Sequence, residues 1–372
     1  MNLRKALKHL SDISASELFV TVGFPLSVKR NNQITRIMKE PMTTHAVATG
    51  IESLLNDHEH NKFRATGESN CAIDIEGVGR FRISAFLQKG EPGMVVRRIH
   101  THVPTLAELG LPIHLNEQVL QTRGLILLTG SAGSGKSTTM AAMIGHRNRT
   151  EKGHIIIIED PIEFIHRHDQ CIVTQRDVGL DTASYEEGLA NALRQAPNIV
   201  AIGEIRSPEV MRHAMAAVET GHLCLATLHA NNAYQALERV IHFFPQEQRP
   251  QLLMDLSLNI RAIVGQQLIT SKDEKTVHPA VEILLNSPRM ADLVKKGEID
   301  ALKELIGKSR DQGMQTFDQS LYDLYEAGKI SYNQALLHAT SANDLRLMIK
   351  LKGNPPEDNQ GYDTSSLRLS RD

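Results

Sequence analysis

The sequence predicts an α/β protein preceded by a smaller α+β domain, and three observations carry that expectation. Strand and helix patterns alternate from GLILLTG at Gly124 through AYQALERVIHFF at Ala233. A glycine-rich loop, GSAGSGKS at 130–137, sits between an apolar strand pattern and a helix pattern. At 372 residues the chain exceeds one ordinary domain.

The first part, 1–102, opens with Leu3, Ala6, Leu7 and Leu10 at helical spacing. Residues 43–63 read as one helix with Val47, Ile51, Leu54 and Leu55 on a face, and CAIDIEGVGRFRISAF and GMVVRRIH read as strands of an antiparallel sheet. Prolines and glycines in THVPTLAELGLPIHLN mark a connection at 103–118. The second part runs over 119–350, and after Pro250 its pattern is mostly helical, LLMDLSLNIRAIVGQQL included. Residues 351–372 are polar and are expected to be a disordered tail.

Composition narrows the function. With 41 basic against 43 acidic residues no global positive field holds a phosphate backbone, so stable nucleic-acid binding is not expected. Cys71, Cys171 and Cys224 make no CxxC pair, which argues against a zinc ribbon or disulfide framework. Lys5, Lys8, His9 and Asp12 interrupt the opening segment, which therefore does not read as a signal peptide, and a cytoplasmic location is expected. The densest apolar runs, LILL at Leu125 and IIII at Ile155, fall far short of the roughly 20 residues that span a bilayer.

The chemistry begins at Gly130, Ser131, Ala132, Gly133, Ser134, Gly135, Lys136, Ser137 and Thr138. Glycines let such a loop turn its amides inward on phosphate oxygens, Lys136 reaches the β and γ phosphates, Ser137 binds Mg²⁺, and the following helix offers its positive end. HIIIIEDPIEFIH presents Glu159, Asp160 and Glu163 at a strand exit, either as a solvated acidic turn or as carboxylates facing a nucleotide. A neighbouring phosphate loop favours the second. NIVAIGEIR ends a buried-strand pattern in Glu204, which reads as a Walker B residue holding Mg²⁺ through water, while Glu163 takes the attacking water. His222 and His229 flank a further strand pattern without the HExxH zinc spacing, and strand-edge histidines are commonly structural.

In order, GSAGSGKSTT, IEDPIEFIH, VAIGEIR and TGHLCLATLHANNA resemble the Walker A, Asp, Walker B and His boxes of secretion-type ATPases. Within that superfamily the chain resembles the PilT/PilU family of type IV pilus retraction ATPases, and ETGHLCLATLHANNA with LLMDLSLNIRAIV is most similar to the accessory, PilU, branch. The resemblance implies a PAS-like α+β domain, a RecA-like P-loop ATPase domain, and a homohexamer hydrolysing ATP with Mg²⁺ for pilus retraction and twitching motility. It implies a PilT-type ATPase and an inner-membrane pilus platform protein as partners, without direct membrane insertion.

The same resemblance makes Glu163 the catalytic glutamate and gives His222 and His229 the task of coupling nucleotide to domain movement. It offers Arg82, Arg97 and Arg194 as the cations that neutralise the transferring phosphoryl group, the alternative being arginines solvated at a sheet edge. Where related motors carry an AIRNLIRE-like element, this chain reads PRMADLVKKGEID, and it lacks the four cysteines of extension motors. Two further readings stay open. One is a nucleotide-binding scaffold whose own hydrolysis is dispensable, and the other is a ring translocase on DNA.

Overall fold

The computed structural model describes residues 3–30 and 33–352. The tail expected at 351–372 therefore lies, from residue 353 onward, outside the described residues. The chain forms two compact units, one of Met1–Pro104 with Ile144–Gly203, the other of Thr105–Met143 with Glu204–Asp372.

Helix α1 (Leu3–Asp12) buries Leu3, Leu7 and Leu10, the spacing that defines its apolar face. Strands β1 (Glu17–Thr21), β2 (Pro25–Arg30) and β3 (Gln33–Pro41) follow, then helices α2 (Thr44–Glu52) and α3 (Asp57–Thr66), and strands β4 (Glu68–Ile75), β5 (Gly79–Gln88) and β6 (Glu91–Ile99). The six strands pair antiparallel in the order β3-β2-β1-β6-β5-β4, as expected. Leu18, Val28, Phe81, Ile83, Met94 and Val96 on its inner face share a core with α1 and with Val47 and Ile51 of α2.

The segment read as one helix over 43–63 is two. Asn56 interrupts it because its side chain accepts from the Glu59 amide at 2.9 Å and caps α3, leaving Leu54 and Leu55 buried in the break.

Beyond residue 104 come α4 (Leu115–Val119), β7 (Gly124–Thr129), α5 (Lys136–Thr150), β8 (Gly153–Glu159), β9 (Cys171–Asp177), α6 (Tyr185–Ala192) and β10 (Ile199–Ile202). After these lie α7 (Pro208–Glu219), β11 (Leu223–Leu228), α8 (Ala233–His242), α9 (Arg249–Asn259), β12 (Ile260–Thr270) and β13 (Val277–Leu285). Five helices close the described chain: α10 (Pro288–Lys296), α11 (Leu302–Lys308), α12 (Phe317–Glu326), α13 (Tyr332–His338) and α14 (Ala342–Lys352).

In the first unit β10, β8 and β9 are parallel neighbours. Ile155–Ile158 are at most 1% exposed, which is why β8 reads as an unbroken apolar run rather than an alternation. Strand β9 was not expected: CIVTQRD is too polar to announce itself. In the second unit β11, β7 and β12 are parallel and β13 pairs antiparallel with β12.

Here the expectation of continuous helix after Pro250 is corrected. The segment divides at Asn259, and IRAIVGQQL belongs to a strand whose β-branched Ile263 and Val264 sit opposite Leu127 and Leu128 of β7.

Candidate active site

All six residues of β7 are buried, and the strand delivers the chain into the loop Gly130–Gly135 before α5 starts at Lys136. Glycine is required at the two ends of this loop. Gly130 has φ +152° and Gly135 φ +89°; an added Cβ would meet the Gln266 carbonyl at 2.5 Å at the first and the Gln266 Nε2 at 2.6 Å at the second.

Gln266, on β12 and 4% exposed, braces the loop with one amide. Its Nε2 donates to the Ser134 carbonyl at 2.8 Å, and its Oε1 accepts from Thr139 Oγ1 at 2.7 Å. Sequence reasoning missed this residue. The available signal was a polar pair, Gln266-Gln267, inside an otherwise apolar strand.

The loop fits a phosphate group. Lys136 Nζ donates to the carbonyls of Gly130 at 2.9 Å and Ser131 at 2.7 Å, folding over the loop that a phosphate would occupy. Thr129 Oγ1 and Ser134 Oγ are buried without a hydrogen-bond partner, and a ligand oxygen would satisfy such groups. Ala132 and Gly133 are exposed at the tip, and the Ser137 and Thr138 hydroxyls lie half-buried in the first turn of α5. A cavity of about 440 Å³ beside the loop is also lined by Asn231, Leu268 and His338.

Because β7 and β11 are parallel, with Leu228 opposite Thr129, the end of β11 emerges at the loop. There His229 Nε2 lies 3.1 Å from Glu204 Oε1, while Arg206 Nε donates to Glu204 Oε2 at 2.8 Å. His229 lines a cavity of about 460 Å³ with Gly130 and Ser131, and Arg239 of α8 donates to its carbonyl at 2.9 Å.

His222 is not part of this grouping. It precedes β11, its carbonyl accepting from the Gly124 amide at 3.2 Å, so the strand separates it from His229 by about 20 Å at ordinary strand rise. Its Nδ1 lies 2.9 Å from the Ala217 carbonyl and 3.0 Å from Thr220 Oγ1, at the end of α7.

The first unit assembles the remaining candidates apart from Arg194. Arg82 and Arg97 are direct partners across β5 and β6, and Glu17 of β1 is the partner of Arg97 on the other side. Arg82 Nη1 meets the buried Asp177 at 3.3 Å, and Arg97 Nη2 meets Glu17 at 3.3 Å. Glu163 is exposed, its carbonyl accepting from the His100 amide at 3.0 Å, and Phe164 stacks on the His100 ring at 5.3 Å. Arg82, Arg97 and Glu163 thereby line one cavity of about 190 Å³. Arg194 stands elsewhere, exposed on the short 3₁₀ turn Leu193–Gln195.

Behind Glu163 the carboxylates crowd. Burial, then Glu163 and Asp177, push the Glu159 carboxyl up to about 8, and burial raises Asp177 despite its bond from the Ile162 amide and the Arg82 guanidinium. Among the described residues no group of three or more His, Cys, Asp or Glu side chains forms a metal cage. Any metal at the phosphate loop would therefore take part of its coordination from phosphate and water.

A parallel strand feeding a glycine-rich phosphate loop, with a carboxylate and histidine at the adjoining strand ends, defines a P-loop ATPase. Residues 9–319 match the Type II/IV secretion system protein family, and the chain belongs to that family. It is 52% identical over 369 residues to the type IV pilus ATPase PilU of Pseudomonas aeruginosa, covering 99% of this chain and 97% of that protein. With the type IV pilus retraction ATPase PilT of the same organism it shares 36% identity over 335 residues, covering 90% and 97%.

The crystal structure of the pilus retraction motor PilT with bound ADP superposes with a TM-score of 0.86 at 32% identity, covering 94% of this chain and all of that one. The chain is thus a PilU homologue and a relative of the PilT motor, with the expected antiparallel amino-terminal sheet and an ATPase sheet that is mixed. Among the described residues no helix is long and apolar enough to cross a membrane.

Proposed function

We propose that the chain hydrolyses ATP with Mg²⁺ as a ring of six subunits and promotes type IV pilus retraction at the inner-membrane face, as an accessory to a PilT-type ATPase and a pilus platform protein. The observation that carries the reading is the 3.1 Å pairing of Glu204 with His229, whose ring shares a cavity with Gly130 and Ser131. A strand-end carboxylate tied to the histidine beside the phosphates is a device for sensing what the loop holds.

The residues divide the work. Both Glu204 oxygens are engaged, by His229 and Arg206, which suits a group that orients a metal-bound water and not one that moves a proton. Glu163, exposed beside Arg82 and Arg97, suits the water-activating base. Arg82 and Arg97 supply the cations that a phosphoryl group in transfer requires. Lys136 exchanges its bonds to the loop carbonyls for phosphate oxygens, and Ser137 with Glu204 would hold Mg²⁺. When bound, the ion neutralises charge across the β and γ phosphates.

The test is phosphate release by the purified chain together with pilus retraction in cells lacking the chromosomal copy. K136A and E163Q are each expected to lower turnover by about 100-fold or more and to impair retraction. Full turnover in K136A would overturn the hydrolysis reading. Lost turnover with undiminished retraction would replace the motor by the scaffold.

A further inference from the structure

At the end of α5 remote from Lys136, its last turn and the loop after Phe164 enclose a separate cavity of about 370 Å³. Its lining includes two arginines, Arg149 and Arg167, and three histidines, His102, His166 and His168, with Asp169 as the one carboxylate among the lining residues. None of these residues has a part in the reaction described above. We propose that this cavity binds a phosphate-bearing small molecule, at a site independent of the phosphate loop.

Of the polar lining, Asn148 and His166 are buried and the rest is exposed. Gly145 lines the cavity, and a Cβ there would meet Val103 Cγ1 at 2.9 Å and Arg149 Nη1 at 3.3 Å, so the bare glycine leaves room for both side chains at the wall. Asn148, 6% exposed, fixes the opposite wall: its Nδ2 donates to the Arg167 carbonyl at 2.7 Å and its Oδ1 accepts from the Cys171 amide at 3.2 Å.

His168 Nδ1 accepts from the Val173 amide at 3.0 Å, which leaves the proton of the neutral ring on Nε2 as a donor. His166 is 9% exposed; burial, then Arg149, lowers its pKa to about 4, so it stays neutral and keeps one N–H at physiological pH.

Helix-dipole complementation alone does not account for the arrangement. Arg147 already places a cation in the same turn, and neither Arg167 nor the imidazoles lie on the helix. Two guanidinium forks with imidazole N–H groups match the several oxygens of a phosphate better than the two of a carboxylate. The volume falls in the range of small-molecule pockets.

Calorimetric titration with inorganic pyrophosphate decides the matter, using the full chain in a K136A background to weaken the phosphate loop. Saturable binding is expected in K136A, weakened by about tenfold or more on adding R149A and R167A. Absence of binding to K136A at millimolar pyrophosphate would overturn the site. So would an affinity unchanged by R149A and R167A. Should the alanine variant unfold, R149K/R167K keeps the charges and loses the forks; a several-fold weaker affinity supports the site, and an unchanged one overturns it.

Discussion

Glu159 is 6% exposed and faces Glu163 and Asp177, so its carboxyl holds a proton up to a pH of about 8. Unfolded, the same group titrates near 4.5. Between those two values the folded chain binds more protons than the unfolded one, so stability falls as pH rises through that window and levels off above it. E159Q removes the titration. Its thermal midpoint is expected to fall less than that of the wild type between about pH 5 and pH 8.5, by the equivalent of a few kcal/mol.

Much at this scale was legible. The loop residues Gly130 to Thr138 are recognised by type and spacing, because a phosphate demands amides, a lysine and a hydroxyl in fixed order. Glu204 and His229, 25 residues apart in sequence, were singled out separately, and the 3.1 Å between them appears only once the chain at Ile205 lies against the end of β11, its amide donating to the Thr227 carbonyl at 2.9 Å.

Among the elements, β12 does most to shape the phosphate loop. Through Gln266 it holds the Ser134 carbonyl and the Thr139 hydroxyl, on either side of the first residues of α5. Q266L leaves both buried groups unpaired, each costing about 1–3 kcal/mol. A lowered unfolding midpoint is expected, together with ATP affinity reduced by about tenfold, since the loop then pays its own ordering entropy on binding; equilibrium binding of ATP and a thermal melt check it. The strand was also the element hardest to see. Leu252, Leu256, Ile260 and Ile263 continue a helical spacing across Asn259, and pairing with β7 overrides that local pattern. In 43–63 the reverse held, and a single local cap at Asn56 overrode the apolar periodicity.

For the whole molecule, the proposed ring makes subunits depend on one another. Adding E204Q subunits to wild type under conditions that exchange subunits is expected to depress phosphate release more steeply than the inactive fraction itself. Strict proportionality in a mixing series would mean that each subunit hydrolyses alone. The compact units also cut across the order of the chain, since Ile144–Gly203 groups with Met1–Pro104. That grouping brings Glu163 to Arg82 and Arg97, whose sequence positions lie 81 and 66 residues away.

By itself the sequence determined the α/β class and the glycine-rich loop between β7 and α5, because each is written in local periodicity or in a short motif. Only the tertiary structure decided where helix gives way to strand at Asn259 and that Gln266 braces the loop. Those outcomes rest on strand pairing between distant segments, whose energy does not reside in any window of neighbouring residues.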